Sequence, residues 1–200
     1  VRSNIFLESN MTLPPRTIRA VEQLRLTSAL PGDVVECGTS SGVTAIALGE
    51  YIKRHSLDKK VYACDTFGGL PYDGGKLDAD LKAKECYVPY MKWQQSVDDA
   101  GLTDIVIPVP GLVENTLKSL VQGKRFCLAF LDMDLYEPTS FAAKVIAPKI
   151  VLGGVLGFHD YRFHRCPGIE VVVDKEVNRQ VFVMYGDHAG NCAWLQRRRK

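Results

Sequence analysis

Strand-length apolar runs alternate with amphipathic helical stretches along most of the chain, and that alternation is what most restricts the fold. Strands are read at 33–37 (DVVEC), 60–67 (KVYACDTF), 104–109 (DIVIPV), 125–132 (RFCLAFLD) and 154–160 (GVLGFHD). Helical periodicity is read at 16–30, 42–55, 93–100, 113–121, 138–149 and 168–178. In 16–30 the core-facing residues are expected to be Ile18, Val21, Leu24 and Leu26. Strands separated by helices call for a parallel sheet covered on both faces. The last two runs, 180–185 (QVFVMY) and 191–196 (NCAWLQ), are joined by GDHAG and are close enough for a hairpin. The expected fold is therefore α/β: a Rossmann-like, doubly wound, mostly parallel seven-stranded sheet with one antiparallel strand.

Two hundred residues with ordinary apolar and charged fractions suit one domain. Within 1–200, residues 1–30 read as an N-terminal helical segment and 68–100 as a lid or loop insertion. Its first part, 68–92, is rich in Gly, Asp and Lys; Gly68, Gly69, Gly74 and Gly75 are either hinges or part of a plain surface loop.

Lys plus Arg is 25 and Asp plus Glu is 23, a net charge of +2. So weak a field argues against nucleic acid or an anionic membrane as the main partner. No apolar run approaches the ~18 residues of a membrane span, and VRSNIFLESN has no signal-peptide core. The six cysteines form no CxxC pair, and Cys37, Cys64 and Cys127 sit inside apolar runs. Scattered buried thiols suit a reducing compartment, so a cytoplasmic location is expected. The small basic cluster RRRK at 197–200 reads as a solvated terminus.

In a doubly wound sheet, ligands bind at the carboxyl ends of the strands. Those ends carry Glu36 to Gly42, Asp65, Gly111, Asp132 with Asp134, and His159 with Asp160. ECGTSSG places Gly38 and Gly42 around a tight turn into a helix, where backbone N–H groups are accessible to a ligand. Its spacing is not the dinucleotide G-x-G-x-x-G, and a plain strand-to-helix turn competes with the ligand reading. Asp65 ends the second strand, where an acid accepts hydrogen bonds from ribose hydroxyls or, more plainly, caps the turn DTFGGLP. Glu36, Gly38, Gly42 and Asp65 together favour an adenosine-type ligand. Glu36 suits a cationic amine and opposes a pyrophosphate, so a zwitterionic nucleoside fits best.

Five segments in register, ECGTSSG, CDTFGGLP, VPGLVENTL, FLDMDLYEPT and GGVLGFHDY followed by GIEVVVDKEV, resemble the macrocin O-methyltransferase (TylF-type) family across about residues 27–178. The resemblance implies a class I, S-adenosylmethionine-dependent, metal-dependent O-methyltransferase acting on a sugar-type hydroxyl. It implies that Glu36, Gly38, Thr39, Ser40, Ser41 and Gly42 hold the methionine end of the cofactor. Asp65 and Thr66 would lie at the ribose and Gly111 and Leu112 near adenine. Asp132 would be a metal ligand beside the cofactor, and Asp134 the general base. The family closes its metal site with two aspartates; this chain has His159 and Asp160.

Chemistry points the same way. Asp132 and Asp134, two apart on an extended strand end, would share a face, and Asp160 would end the adjacent strand. Each like-charge pair at ~4 Å costs about 4 kcal/mol at an effective dielectric of ~20, a repulsion that Mg²⁺ or Mn²⁺ would offset. A coordinated hydroxyl loses its proton more readily, and Asp134 is placed to accept it. Three readings of His159 stand: a metal ligand that shifts preference from Mg²⁺ toward Mn²⁺, Fe²⁺ or Zn²⁺, a general base in a metal-free enzyme, or a structural histidine. The plainer reading of the acids is a set of helix caps and turn acids. Arg162, His164 and Arg165 read as solvated loop charges or acidic-substrate contacts, and Tyr136 and Tyr161 as pocket walls or packing.

The expected activity is O-methyl transfer to a small hydroxylated acceptor, with homo-oligomerisation left open. Two rivals remain. Asp132-Met133-Asp134 is also the DxD of a metal- and nucleotide-sugar-dependent glycosyltransferase. The alternative is a non-catalytic nucleoside-binding protein.

Overall fold

A computed structural model describes residues 13–78, 80–185 and 191–198. The elements run α1 (Pro15–Thr27), β1 (Asp33–Cys37), α2 (Val43–Arg54), β2 (Val61–Asp65), α3 (Tyr90–Asp99), β3 (Val106–Pro110), α4 (Val113–Leu120), β4 (Phe126–Leu131), α5 (Tyr136–Ile146), β5 (Ile150–Phe158), α6 (Pro167–Val171), β6 (Phe182–Tyr185) and β7 (Ala193–Arg197). A 3₁₀ turn, Ala147–Lys149, follows α5, and a wider π turn, Val172–Glu176, extends α6. The expected GDHAG turn, the segment before Leu13, and Arg199 and Lys200 of the terminal cluster lie outside the described residues.

All seven expected strands form one sheet in the order β3-β2-β1-β4-β5-β7-β6. The pairs from β3 through β5 are parallel, and β7 is antiparallel to both β5 and β6. From β1 the chain winds outward through β2 and β3. It then returns to place β4 on the other side of β1, so the strand order reverses between β1 and β4.

Alternation along each strand feeds two cores. Val34 packs with Ala20, Leu24, Leu48, Trp93 and Val97 beneath α1, α2 and α3. Val35 packs with Leu117, Ile146 and Ile169 beneath α4, α5 and α6. Each such buried aliphatic side chain contributes about 1.5–3 kcal/mol.

The α1 face differs from the sequence expectation. Thr17, Ala20, Val21, Gln23, Leu24 and Thr27 are buried, Ile18 is half-buried, and Leu26 is 60% exposed. Residues 17, 20, 21, 24 and 27 share one stripe at helical spacing, and Leu26 falls outside it. Similarly, α3 begins at Tyr90 after Pro89 rather than at 93, which brings Trp93 wholly into the core.

The segment between β2 and α3 is irregular, as expected, yet anchored. The Leu70 N–H donates to the Glu85 carbonyl (2.9 Å) and the Lys84 N–H to the Leu70 carbonyl (2.8 Å). Leu70 and Leu81 are buried, and buried Asp78 accepts from the Tyr136 N–H at 2.6 Å.

Candidate active site

The ladder continues one residue past each strand end, which aligns the candidate site residues. The Gly111 N–H donates to the Asp65 carbonyl, Gly38 to Cys64, Asp132 to Cys37 (each 2.8 Å) and His159 to Leu131 (2.9 Å). Gly111, Gly38, Asp132 and His159 thus stand beside their neighbours above the sheet. A cleft of about 230 Å³ opens over this row, where the strand order reverses. It is lined by Gly38, Ser40, Asp65, Thr66, Gly111, Leu112, Asp132, Asp134 and His159 among the residues expected from sequence.

Other expected residues stand behind or beside that lining. Glu36 is 1% exposed with Oε2 lacking a hydrogen-bond partner among the described residues, and Thr39 is buried with Oγ1 in the same condition. Burial, reinforced by Asp132 and Asp65, pushes the Glu36 carboxyl up to about 8 despite the opposing Thr39 hydroxyl. Ser41 is exposed and Gly42 turns the chain into α2; neither lines the cleft.

Asp65 serves the loop as well as the cleft. Its Oδ2 accepts from the Ser40 N–H (2.8 Å) and its Oδ1 from the Phe67 N–H (2.7 Å). It therefore holds two residues of left-handed φ, 44° and 52°. The turn-capping reading applies, and each carboxylate oxygen keeps a further lone pair.

Gly38 shows why β1 and β4 can meet here. Its φ is +84°, and an added Cβ would lie 1.9 Å from the Asp132 carbonyl oxygen.

At the other end of the row, ligand atoms of Asp132, His159 and Asp160 lie within 4.8 Å of one another. His159 Nδ1 is 2.9 Å from Asp132 Oδ1 and 2.9 Å from Asp160 Oδ2, within ion-pair distance of both carboxylates. Burial works against a charge on the ring. The two carboxylates outweigh it and push the imidazole up to about 10. A second convergence joins Asp134, Asp160 and Cys166. Burial first, then Asp132 and Asp160, raises the Asp134 carboxyl to about 7.

Asp134 reaches the cleft by a different route from the one expected. The backbone is not extended there: Asp134 has φ 61°, and the Leu135 N–H donates to the Met133 carbonyl at 2.6 Å. A tight turn, rather than strand periodicity, brings it near Asp160.

The donor set fits a divalent cation. Oxygen and imidazole donors converge, and buried Asp160 Oδ2 and His159 Nδ1 have no hydrogen-bond partner among the described residues. The cleft also fits a zwitterionic nucleoside, with Gly38 and Ser40 at one end, Gly111 and Leu112 at the other and Asp65 between.

Sequence reasoning missed Arg16. From the first turn of α1 it enters the cleft and places Nε 3.2 Å from Asp132 Oδ2. A lone arginine in a helix carries no pattern that marks such a role. Cys86, exposed in the irregular segment, also lines the cleft, with Sγ 3.9 Å from Asp134 Oδ2. Tyr136 and Tyr161 pack instead, their hydroxyls bonded to Glu176 (2.5 Å) and Asp174 (3.1 Å). Arg162 pairs with Glu170 and Arg165 with Glu85, outside the cleft lining.

Comparison with known proteins gives this site its context. The family model described as macrocin-O-methyltransferase (TylF) matches residues 16–181. The chain belongs to the TylF macrocin O-methyltransferase family. The match extends beyond the segments read from sequence and takes in α1 with Arg16.

A relative from Streptomyces olivaceus, 8-demethyl-8-(2,3-dimethoxy-alpha-L-rhamnosyl)-tetracenomycin-C 4'-O-methyltransferase, is 29% identical over 150 residues, covering 70% of this chain and 57% of that protein. Demethyldecarbamoylnovobiocin O-methyltransferase of Streptomyces niveus is 27% identical over 155 residues, covering 73% and 58%. The chain therefore spans less than two thirds of these relatives' length. The O-methyltransferase NovP superposes with a TM-score of 0.78 at 24% identity over 92% of this chain and 78% of that one. The calicheamicin methyltransferase CalS11 gives 0.77 at 20% identity over 90% and 78%. These structures share the doubly wound fold. No helix among the described residues is long and apolar enough to cross a membrane.

Proposed function

We propose that this TylF-family chain is an S-adenosylmethionine-dependent, divalent-cation-assisted O-methyltransferase acting on a hydroxyl of a small sugar-like or natural-product acceptor. One observation carries the reading. A nucleoside-sized cleft and a convergent Asp132–His159–Asp160 donor set lie side by side, above the strand ends where the sheet order reverses.

S-adenosylmethionine supplies the electrophilic methyl group, and a bound cation lowers the pKa of a coordinated hydroxyl. The chain's own residues do the rest. Gly38 and Ser40 expose backbone toward the methionine end, with the Glu36 carboxyl buried beneath. Asp65 and Thr66 face the ribose, and Gly111 and Leu112 flank the base. Asp132, His159 and Asp160 hold the cation. Asp134 accepts the acceptor's proton at a carboxylate oxygen. Holding donor and acceptor in one cleft removes the entropy cost of their encounter.

The test has two stages. Thermal melts with S-adenosylhomocysteine and, separately, with nucleotide sugars distinguish the transferase classes; stabilisation by the thioether nucleoside is expected. Mass spectrometry of a panel of glycosylated polyketides and aminocoumarins, incubated with S-adenosylmethionine and a divalent cation, should show a single methyl added to a sugar hydroxyl. Stabilisation by a nucleotide sugar alone would favour the glycosyltransferase reading. Nucleoside binding without methyl transfer or any cation effect would favour a non-catalytic binding protein.

A further inference from the structure

We infer that the cation site at the ends of β4 and β5 selects a transition-series dication, of the Mn²⁺, Co²⁺ and Zn²⁺ class, over Mg²⁺, with His159 Nδ1 as its nitrogen ligand. The inference rests on the cation-assisted reading above and names the ion.

Three atoms of different character converge. Asp132 Oδ1 and Asp160 Oδ2 each lie 2.9 Å from His159 Nδ1. Asp160 is 4% exposed, and its Oδ2 has no hydrogen-bond partner among the described residues. A buried carboxylate oxygen without a donor is costly unless a cation faces it. Arg16 reaches Asp132 only at Oδ2, leaving Oδ1 turned to the imidazole. The backbone fixes the ring's place, since the His159 N–H continues the ladder onto the Leu131 carbonyl at 2.9 Å.

The choice of ion follows from the donors. Mg²⁺ binds through oxygen, gaining from carboxylate charge and little from nitrogen. One neutral imidazole with two carboxylates carries less negative charge than three carboxylates would and adds a borderline donor. Affinity for nitrogen-containing sites rises along Mn²⁺, Fe²⁺, Co²⁺ and Ni²⁺. The Cys166 sulfur, within 4.8 Å of ligand oxygens of Asp134 and Asp160, makes the surroundings softer still.

The experiment uses the metal-stripped full chain, titrated calorimetrically with Mg²⁺, Mn²⁺, Co²⁺ and Zn²⁺ in turn. Co²⁺ should bind at least roughly ten-fold tighter than Mg²⁺. In H159D, which restores an all-oxygen set, that ratio should fall by roughly ten-fold with Mg²⁺ binding retained. Electron spin echo modulation of bound Mn²⁺ should report a directly coordinated nitrogen in the unsubstituted chain, a readout that does not depend on the variant folding. Mg²⁺ binding as tight as Co²⁺, or Mn²⁺ bound without nitrogen modulation, overturns the ion choice and leaves the cation-assisted reading standing. No binding of any of the four ions overturns both.

Discussion

Arg16, on the first turn of α1, and Asp132, just past the end of β4, meet with Nε 3.2 Å from Oδ2 in a cleft lined besides by His159 and by acidic, small and apolar residues. The contact ties the outer helix to the site row and leaves the other Asp132 oxygen for His159. No other Lys or Arg lines the cleft among the described residues.

A cationic fork in an acidic cleft is suited to the carboxylate of an amino acid moiety. R16Q is expected to weaken S-adenosylhomocysteine binding roughly ten-fold, a modest effect because the side chain is partly exposed. Binding of 5′-methylthioadenosine, which has no amino acid group, should not change. Calorimetry with both ligands checks this, and equal losses for the two would point to a purely structural Arg16.

Gly38 leaves no room for a side chain. In G38A the new Cβ meets the Asp132 carbonyl oxygen, a backbone atom, and the φ of +84° is strained for any other residue. The expected cost is about 3 kcal/mol or more, read as a lower urea midpoint, with loss of nucleoside binding as β1 and β4 are pushed apart.

Glu36 makes stability depend on pH. Its carboxyl titrates at about 8 in the folded chain, against an ordinary 4.5, chiefly because it is buried. Between those values the unfolded chain releases a proton that the folded chain keeps, so unfolding becomes easier as pH rises from about 4.5 to about 8. The contribution is full below that window and lost above it. E36Q removes this titration. The stability difference between E36Q and the parent chain should therefore grow in favour of E36Q across that window, by up to a few kcal/mol. Urea unfolding at several pH values measures it; a constant difference would show that Glu36 is ionised in the fold.

Much of the fold was legible because strand and helix periods are local. DVVEC reads as a strand and VTAIALGEYIKR as a helix on their own residues, and strands separated by helices leave a covered parallel sheet as the economical packing. Strand-end position likewise marked Asp65, Asp132, His159 and Asp160, since ligands gather where parallel strands stop. The face of α1 differs at Leu26 because the buried stripe is completed by Thr17, Gln23 and Thr27, polar residues that apolar periodicity does not count.

What sequence alone determined is the order of the elements and the chemistry waiting at their ends. What only the tertiary structure decided is which of those ends meet. The sheet order sets Asp132 beside His159, the Asp134 turn reaches the cleft through a left-handed residue, and Arg16 arrives from a helix whose pattern records only its buried face. Local periodicity reports how a segment contacts the core. Convergence of polar atoms from distant segments depends on crossover geometry and close backbone approach, neither of which leaves a mark in neighbouring residues.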